Sequence, residues 1–390
     1  MSIDEARRRV LLICQLDGFA NSRRPVAMQR YLESRGHEVI MANTYFASRL
    51  SPERGTLGNK LPAPSARRLA LYAIEAVSKL LVRRWQPTRR RFSYAVLRAD
   101  QLVRRGLLRR TLPLDEVDLV LCATPYDVLV LRDVDEAHTL YDCQTPWADE
   151  LWFEGRATER QRRRLRDQET EVFRSVDHVT FCWESYARYV EEQYGQPLPN
   201  FLNLNTGCDV ATERARFATP PRIAYLGSLS SEFIDLPLLS RLSAQYPHID
   251  VFGSPPPDPA LGLNYRGYAS PDVLREYQFG LITCTKDALR RDGFSAKHIE
   301  YISWGLPVLV PAWRRGLDLI RGSVPYDEDT FLAVLDELSD ATAWQRAADQ
   351  AYDQAQALAW DRVLQPLDDL LRELPPRPVR APDTAPSNVR

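Results

Sequence analysis

Short apolar runs alternate with stretches of helical periodicity along most of the chain. The first run, 9–15, predicts a buried strand, residues 22–35 predict a helix, and 38–42 predict the next strand after a stop at Gly36-His37. The rhythm continues with strands at 117–123, 139–142 and 178–181 and helices from Tyr126, over 158–174 and over 184–193. It restarts with a strand at 222–226, a helix at 235–246 and a strand at 249–252, then the segment 264–268 and a short helix at 271–277. A strand at 279–284, a helix bounded by Ser295 and Gly305, and a strand at 306–310 follow, and helices at 329–338, 342–358 and 360–374 close the series. Strand and helix alternating at this pace form βαβ crossovers, which require parallel strands and an α/β fold.

Composition narrows this picture. With 390 residues, 44% of them hydrophobic, the chain is long enough for two domains. A net charge of −1 excludes a general polyanion binder, and no nucleic-acid recognition motif is present. The charge is nevertheless uneven: 67–110 carries thirteen Lys or Arg against Glu75 and Asp100, interleaved with apolar residues up to Trp85 and beyond. This predicts two basic amphipathic helices suited to an anionic membrane surface, with a merely solvated face as the alternative. The six cysteines stand singly in or beside apolar runs, without metal-ligand or disulfide spacing. No run reaches the ~18 apolar residues of a membrane span and the N-terminus lacks a cleavage signal, so a cytoplasmic protein is expected, peripheral at most on the inner face of the cell membrane.

Candidate chemistry concentrates in three places. In 293–311, Lys297, Glu300 and Tyr301 share one helix face, and Lys297 falls in the first turn, where unpaired N–H groups favour an anion. A phosphate would resolve that conflict; a solvated lysine paired with Glu300 is the plainer alternative. Gly227-Ser228 follows a strand, where a glycine allows close approach of a phosphate. The stretch 141–152, YDCQTPWADELW, reads as a loop at a strand end and gathers Trp147, Glu150 and Trp152 with Asp142 and Asp149, the two acids expected to act as general base. Asp142 could equally cap the turn. Asp17, a further candidate acid or a turn residue, lies with Arg23 and Arg24 at the rim of the first sheet's crevice, and the Pro-, Gly- and Ser-rich 48–65 should overhang it.

The stretch SAKHIEYISWGLPVLVP resembles the pattern P-x-K-x-x-E-Y-x-A-x-G-x-P-V of GT-B nucleotide-sugar glycosyltransferases, keeping Lys297, Glu300, Tyr301, Gly305, Pro307 and Val308. The segment 203–209 likewise resembles the N-G-V-D turn that ends the first domain in that family. The resemblance implies a GT-B architecture, two Rossmann-like doubly wound parallel-sheet domains facing a cleft. The acceptor domain would be 1–210, the linker 211–221 and the donor domain 222–356, with a helix at 357–374 crossing back and a disordered tail at 375–390. It also implies that Glu300 holds the donor ribose, Lys297 the diphosphate and Asp292, eight positions before Glu300, the sugar, with Gly227, Ser228, Leu229, Tyr268 and Tyr301 framing the nucleotide.

Beyond the general pattern, the chain looks most like the xanthan-type lipid-linked glucuronosyltransferase, through Asp17-x-Phe19 with Arg23-Arg24, Tyr141, Leu226-Gly227-Ser228, Tyr265-x-Gly267, Phe279-Gly280 and Lys297. It departs at Thr145, which stands where that family has its catalytic acid. The implied reaction moves a sugar from a nucleoside diphosphate sugar, UDP rather than GDP or TDP, to a hydroxyl acceptor that could be lipid-linked. No cofactor is expected, and no metal either, since this plan of transfer does not require one. A nucleotide-sugar epimerase and a non-catalytic sugar-nucleotide or lipid-binding module are the alternatives. A base at Asp142 or Asp149 would argue for inversion, whereas the Asp292 to Glu300 spacing resembles retaining relatives.

Overall fold

A computed structural model describes residues 7–14, 23–44, 94–229 and 233–375. In the first half, β1 (Arg9–Cys14), α1 (Arg23–Ser34), β2 (Glu38–Asn43), α2 (Tyr94–Thr111), β3 (Leu119–Cys122), β4 (His138–Gln144), α3 (Trp147–Phe153), α4 (Glu159–Ser175), β5 (His178–Phe181) and α5 (Ser185–Tyr194) form a parallel sheet with helices against it. Its strand order is β2-β1-β3-β4-β5. The second half contains β6 (Ile223–Leu226), α6 (Leu236–Gln245), β7 (Ile249–Phe252), β8 (Tyr265–Gly267), β9 (Phe279–Leu281), α7 (Ala288–Asp292), α8 (Ala296–Ser303), β10 (Val308–Pro311), β11 (Ser323–Tyr326), α9 (Phe331–Glu337) and α10 (Ala341–Ala357). Its strands, also parallel, run β11-β10-β9-β6-β7-β8.

Local chemistry accounts for several boundaries. Thr158 and Gln161 form a reciprocal capping box at the start of α4, and Asp235 caps α6 through the Leu238 N–H. Central strands β1, β3, β9 and β10 are buried throughout or nearly so, as their continuous apolar runs require.

The last described helices pack on the first half. After α10, α11 (Trp360–Val363) and α12 (Gln365–Glu373) place Leu364, Leu367, Leu371 and Leu374 in one core with Val10, Leu12, Met28 and Leu32. Arg8 donates to the carbonyls of Leu371, at 3.1 Å, and Leu374, while His37 meets Asp368 at 2.8 Å.

Four parts of the chain differ from the sequence expectation. The segment 360–374 is two helices rather than one, because Pro366 has no N–H and sits in the first turn of α12, where that lack costs nothing. β11 and α7 are additional. The loop expected over 141–152 contains α3, whose first two N–H groups, Trp147 and Ala148, donate to the Glu169 carboxylate at 2.8 and 3.1 Å; this cap comes from another helix, so no local pattern announces it. Asp17, the 48–65 segment, the basic run up to residue 93 and the tail from 376 lie outside the described residues.

Candidate functional site at the cleft

In open parallel sheets the ligand crevice lies beyond the carboxyl ends of the strands, where the strand order reverses. In the second sheet that point falls between β6 and β9, which are neighbours although far apart in sequence. Gly227, Ser228 and Leu229 leave β6 there. Lys297, in the first turn of α8, lays its stem across Gly227, so that a Cβ at that position (φ 151°) would overlap Lys297 Cε. Lys297 Nζ donates to Tyr225 Oη at 2.6 Å and sits 4.4 Å from the centre of that ring. Tyr225 Oη in turn donates to the Ser228 carbonyl at 3.2 Å. Burial pushes the Lys297 ammonium down to about 7.

Tyr301, on the same helix, is a strut. Its hydroxyl accepts from the Leu226 N–H at 2.8 Å and donates to the Leu281 carbonyl at 3.4 Å, while its ring occupies the space above Gly280. It thereby ties α8 to both β6 and β9.

A second cation joins Lys297. Arg314, just past β10, is 5% exposed; its Nη2 donates to the Gly293 carbonyl, its guanidinium lies 5.0 Å over Phe294, and Nε and Nη1 have no partner. Burial lowers its affinity for a proton, and Lys297 and Arg314 both interact with Cys284 beyond the end of β9. Neither cation has a carboxylate within ion-pair distance among the described residues. Nearby, Ser295 occupies the N-cap position of α8 with extended backbone, yet its buried hydroxyl has no partner, and the Thr283 hydroxyl is also unpartnered. His298 is driven down to about 3 by burial and is therefore neutral. Arg314 carried no signal in the sequence beyond its place one turn after a buried strand.

The remaining expected donor residues are more scattered. Glu300, half-buried, forms an ion pair with Arg23 of the first half. Asp292 is held by Arg291 at 3.0 Å, with Arg315 at 3.9 Å. Tyr268 is 79% exposed at the far edge of the sheet, beside β8, and no contact links it to the Lys297 group among the described residues.

On the first half, the two acids expected as base are enclosed. Asp142 accepts from Arg24 Nε at 2.9 Å, and Arg24 also donates to the carbonyls of Leu204 (2.6 Å) and Asn205 (3.0 Å), so this pair fastens α1 and β4 to the 203–209 turn. Asp149 accepts from Arg162 (2.7 Å), Arg166 (2.8 and 2.6 Å) and Tyr189 (2.7 Å); burial would raise its pKa, and these bonds outweigh that and hold it below the usual carboxylate range. Asp142 and Asp149 have 1% and 0% of their surfaces exposed, and Asp142 Oδ1 has no partner. The half-buried acid of this region is Glu150, which accepts from Thr145 Oγ1 at 2.7 Å.

Contacts between the halves join the carboxyl ends of their strands. Arg23 meets Glu300, Ser185 donates to the Asp292 carbonyl, and Trp183 packs on Phe294 with ring centres 5.1 Å apart. α3 packs against α7, and Gly293 lies so close to the Tyr186 hydroxyl that a Cβ would overlap it. The Glu150 helix α3 thus packs against α7, the helix that precedes the Lys297 helix α8.

No known family model matches the sequence, and no curated protein matches it significantly. Solved structures do match in three dimensions. Sucrose-phosphate synthase from Thermosynechococcus elongatus superposes with a TM-score of 0.65 at 13% identity, covering 94% of this chain and 99% of its own. A glycosyltransferase from Rickettsia africae gives 0.59 at 10% identity, over 94% and 98% of the two chains. The Anabaena protein HepE, in complex with UDP and glucose, gives 0.56 at 11%, over 94% and 99%. The chain has the GT-B fold. In this GT-B fold both sheets turn their carboxyl edges to a shared cleft, with the two unpaired cations on the second domain and Glu150 on the first.

Proposed function

We propose that the chain is a glycosyltransferase that moves a sugar from a nucleoside diphosphate sugar, with UDP as the nucleotide, to a hydroxyl acceptor. The observation that carries this reading is the pair of cations, Lys297 and Arg314, set without carboxylates at the switch point of the second sheet, beside the start of α8. A buried unpaired charge costs several kcal/mol. A diphosphate offsets that cost with two negative charges, and the N–H groups of the α8 first turn and the free Ser295 hydroxyl add donors.

During transfer, negative charge builds on the departing diphosphate. Lys297, Arg314 and the α8 N-terminus oppose it where it develops, which accelerates bond breaking more than it strengthens ground-state binding. Glu300 is the group proposed for the ribose; it would exchange its ion pair with Arg23 for the sugar hydroxyls. HepE, whose structure contains UDP and glucose, supports UDP as the first nucleotide to test. Glycuronosyl transfer to a lipid-linked acceptor is the finer form of the proposal and rests on the motif resemblance and the basic 67–110 stretch. Within that stretch Arg104 and Arg105 are engaged by Asp127 and Asp133, while Leu102 and Val103 are exposed.

Thermal melting with UDP, GDP and TDP tests the donor reading. UDP at a hundred times its dissociation constant should stabilise the fold by about 2.7 kcal/mol. Absence of a shift with all three nucleotides would overturn it.

A further inference from the structure

The strand β4 ends irregularly: its register against β5 shifts between Asp142 and Gln144, and Gln144 adopts φ 56°, the one positive φ outside glycine among the described residues. Such backbone strain costs on the order of 1–3 kcal/mol and persists where the surroundings impose it. Here it swings Thr145 out of the sheet line, where its hydroxyl donates to Glu150 Oε2 at 2.7 Å.

α3, which carries Glu150, is anchored through its first turn. The Glu169 carboxylate takes its first N–H groups, and Asp149, on the inner face, is gripped by Arg162, Arg166 and Tyr189. Neighbouring side chains thus have opposite fates: Asp149 is sealed in, while Glu150 is left half-buried on the side that packs against α7 of the other domain.

Resting on the proposed glycosyl transfer, we infer that Glu150 is the proton acceptor of the reaction, with Thr145 as its positioning residue. The Glu150 carboxylate takes the proton of the acceptor hydroxyl as that oxygen bonds to the anomeric carbon. The bond from that carbon to the diphosphate breaks, and its electron pair leaves on the diphosphate oxygen. Because the acid stands on the wall opposite the donor cations, attack is a single displacement and the sugar emerges inverted.

The surroundings suit a base. Burial raises the Glu150 carboxyl above the ordinary range; Thr145 opposes that rise, Glu154 at the end of its own helix adds to it, and Arg290 of α7 and Arg156 oppose it. A base whose pKa lies closer to working pH holds a proton more strongly while remaining ionised.

The test measures UDP release from UDP-glucose, UDP-galactose and UDP-glucuronate with water as acceptor, alongside UDP binding by calorimetry. Glu150→Gln should lower kcat by 10²- to 10⁴-fold, leave UDP affinity within about twofold, and abolish the acid limb of the pH profile. Thr145→Val should lower kcat less than Glu150→Gln does and move that limb to higher pH. The released sugar should appear first as the inverted anomer by proton NMR. Unchanged kcat in Glu150→Gln, or a retained anomer, would overturn the role of Glu150 while leaving the donor site standing. UDP binding without UDP release by the unaltered protein would count against the base in the same way. Failure of the unaltered protein to bind UDP at all would instead remove the donor reading and this inference with it.

Discussion

Lys297 is the residue whose ionisation governs the proposed chemistry. Its folded pKa of about 7 lies below its ordinary value of 10.5, so between those values the unfolded chain holds a proton that the folded one has released. Stability from this group therefore rises with pH across roughly 7 to 10.5, while diphosphate binding, which needs the ammonium, weakens over the same window. The measurable outcome is that kcat/KM falls above about pH 7, whereas kcat falls only at higher pH, because bound diphosphate restores the charge. Lys297→Ala should cost about 1.5–3 kcal/mol in UDP binding, read by calorimetry, with an unchanged circular dichroism spectrum. Asp149→Asn works at the same scale but on stability. It leaves Arg162 and Arg166 facing an uncharged group in a buried site and should lower the unfolding free energy by about 3 kcal/mol in urea titrations. The motif surrounding Lys297 was legible because its residues are close in sequence; the partners of Asp149 are 13 to 40 residues away, and no spacing rule connects them.

At the scale of elements, the β6 turn and the start of α8 form one unit. Gly227 is required both by its φ of 151° and by the Lys297 stem, so Gly227→Ala should displace the lysine and weaken UDP binding together with a drop in melting temperature. A drop in stability with UDP affinity intact would show that the turn and the lysine are not coupled. Most strands and long helices were legible, from 9–15 through 342–358, because the central strands are continuously apolar and the helices carry caps such as Thr158 and Asp235. α3 was not, since its N-terminal cap is Glu169 and its start follows a proline in a run that otherwise looks like a loop. The same omission hid Glu150: as a loop residue it was one acid among several, and only the helix separates its direction from that of Asp149.

At the scale of the molecule, the last described helices pack against β1 and α1. Leu367 is fully buried among residues of β1 and α1, and Leu367→Ala should cost about 2–5 kcal/mol, with the loss appearing in the unfolding of the first domain by chemical denaturation. The Arg23 to Glu300 ion pair also crosses the halves, but Arg23 is half exposed, so Arg23→Ala should change stability by less than about 1 kcal/mol. The sequence by itself determined that the chain is an α/β protein with two parallel sheets and where the lysine-bearing helix begins and ends, because periodicity, caps and apolar runs are local properties. Only the tertiary structure decided which acids the arginines hold. Asp142, Asp149 and Glu150 are alike as residues, and what distinguishes them is the arginines that reach two of them from Arg24, Arg162 and Arg166 and leave the third beside Thr145 at the cleft. Pairing across a fold is set by how helices pack, and that information exists only once the chain has closed on itself.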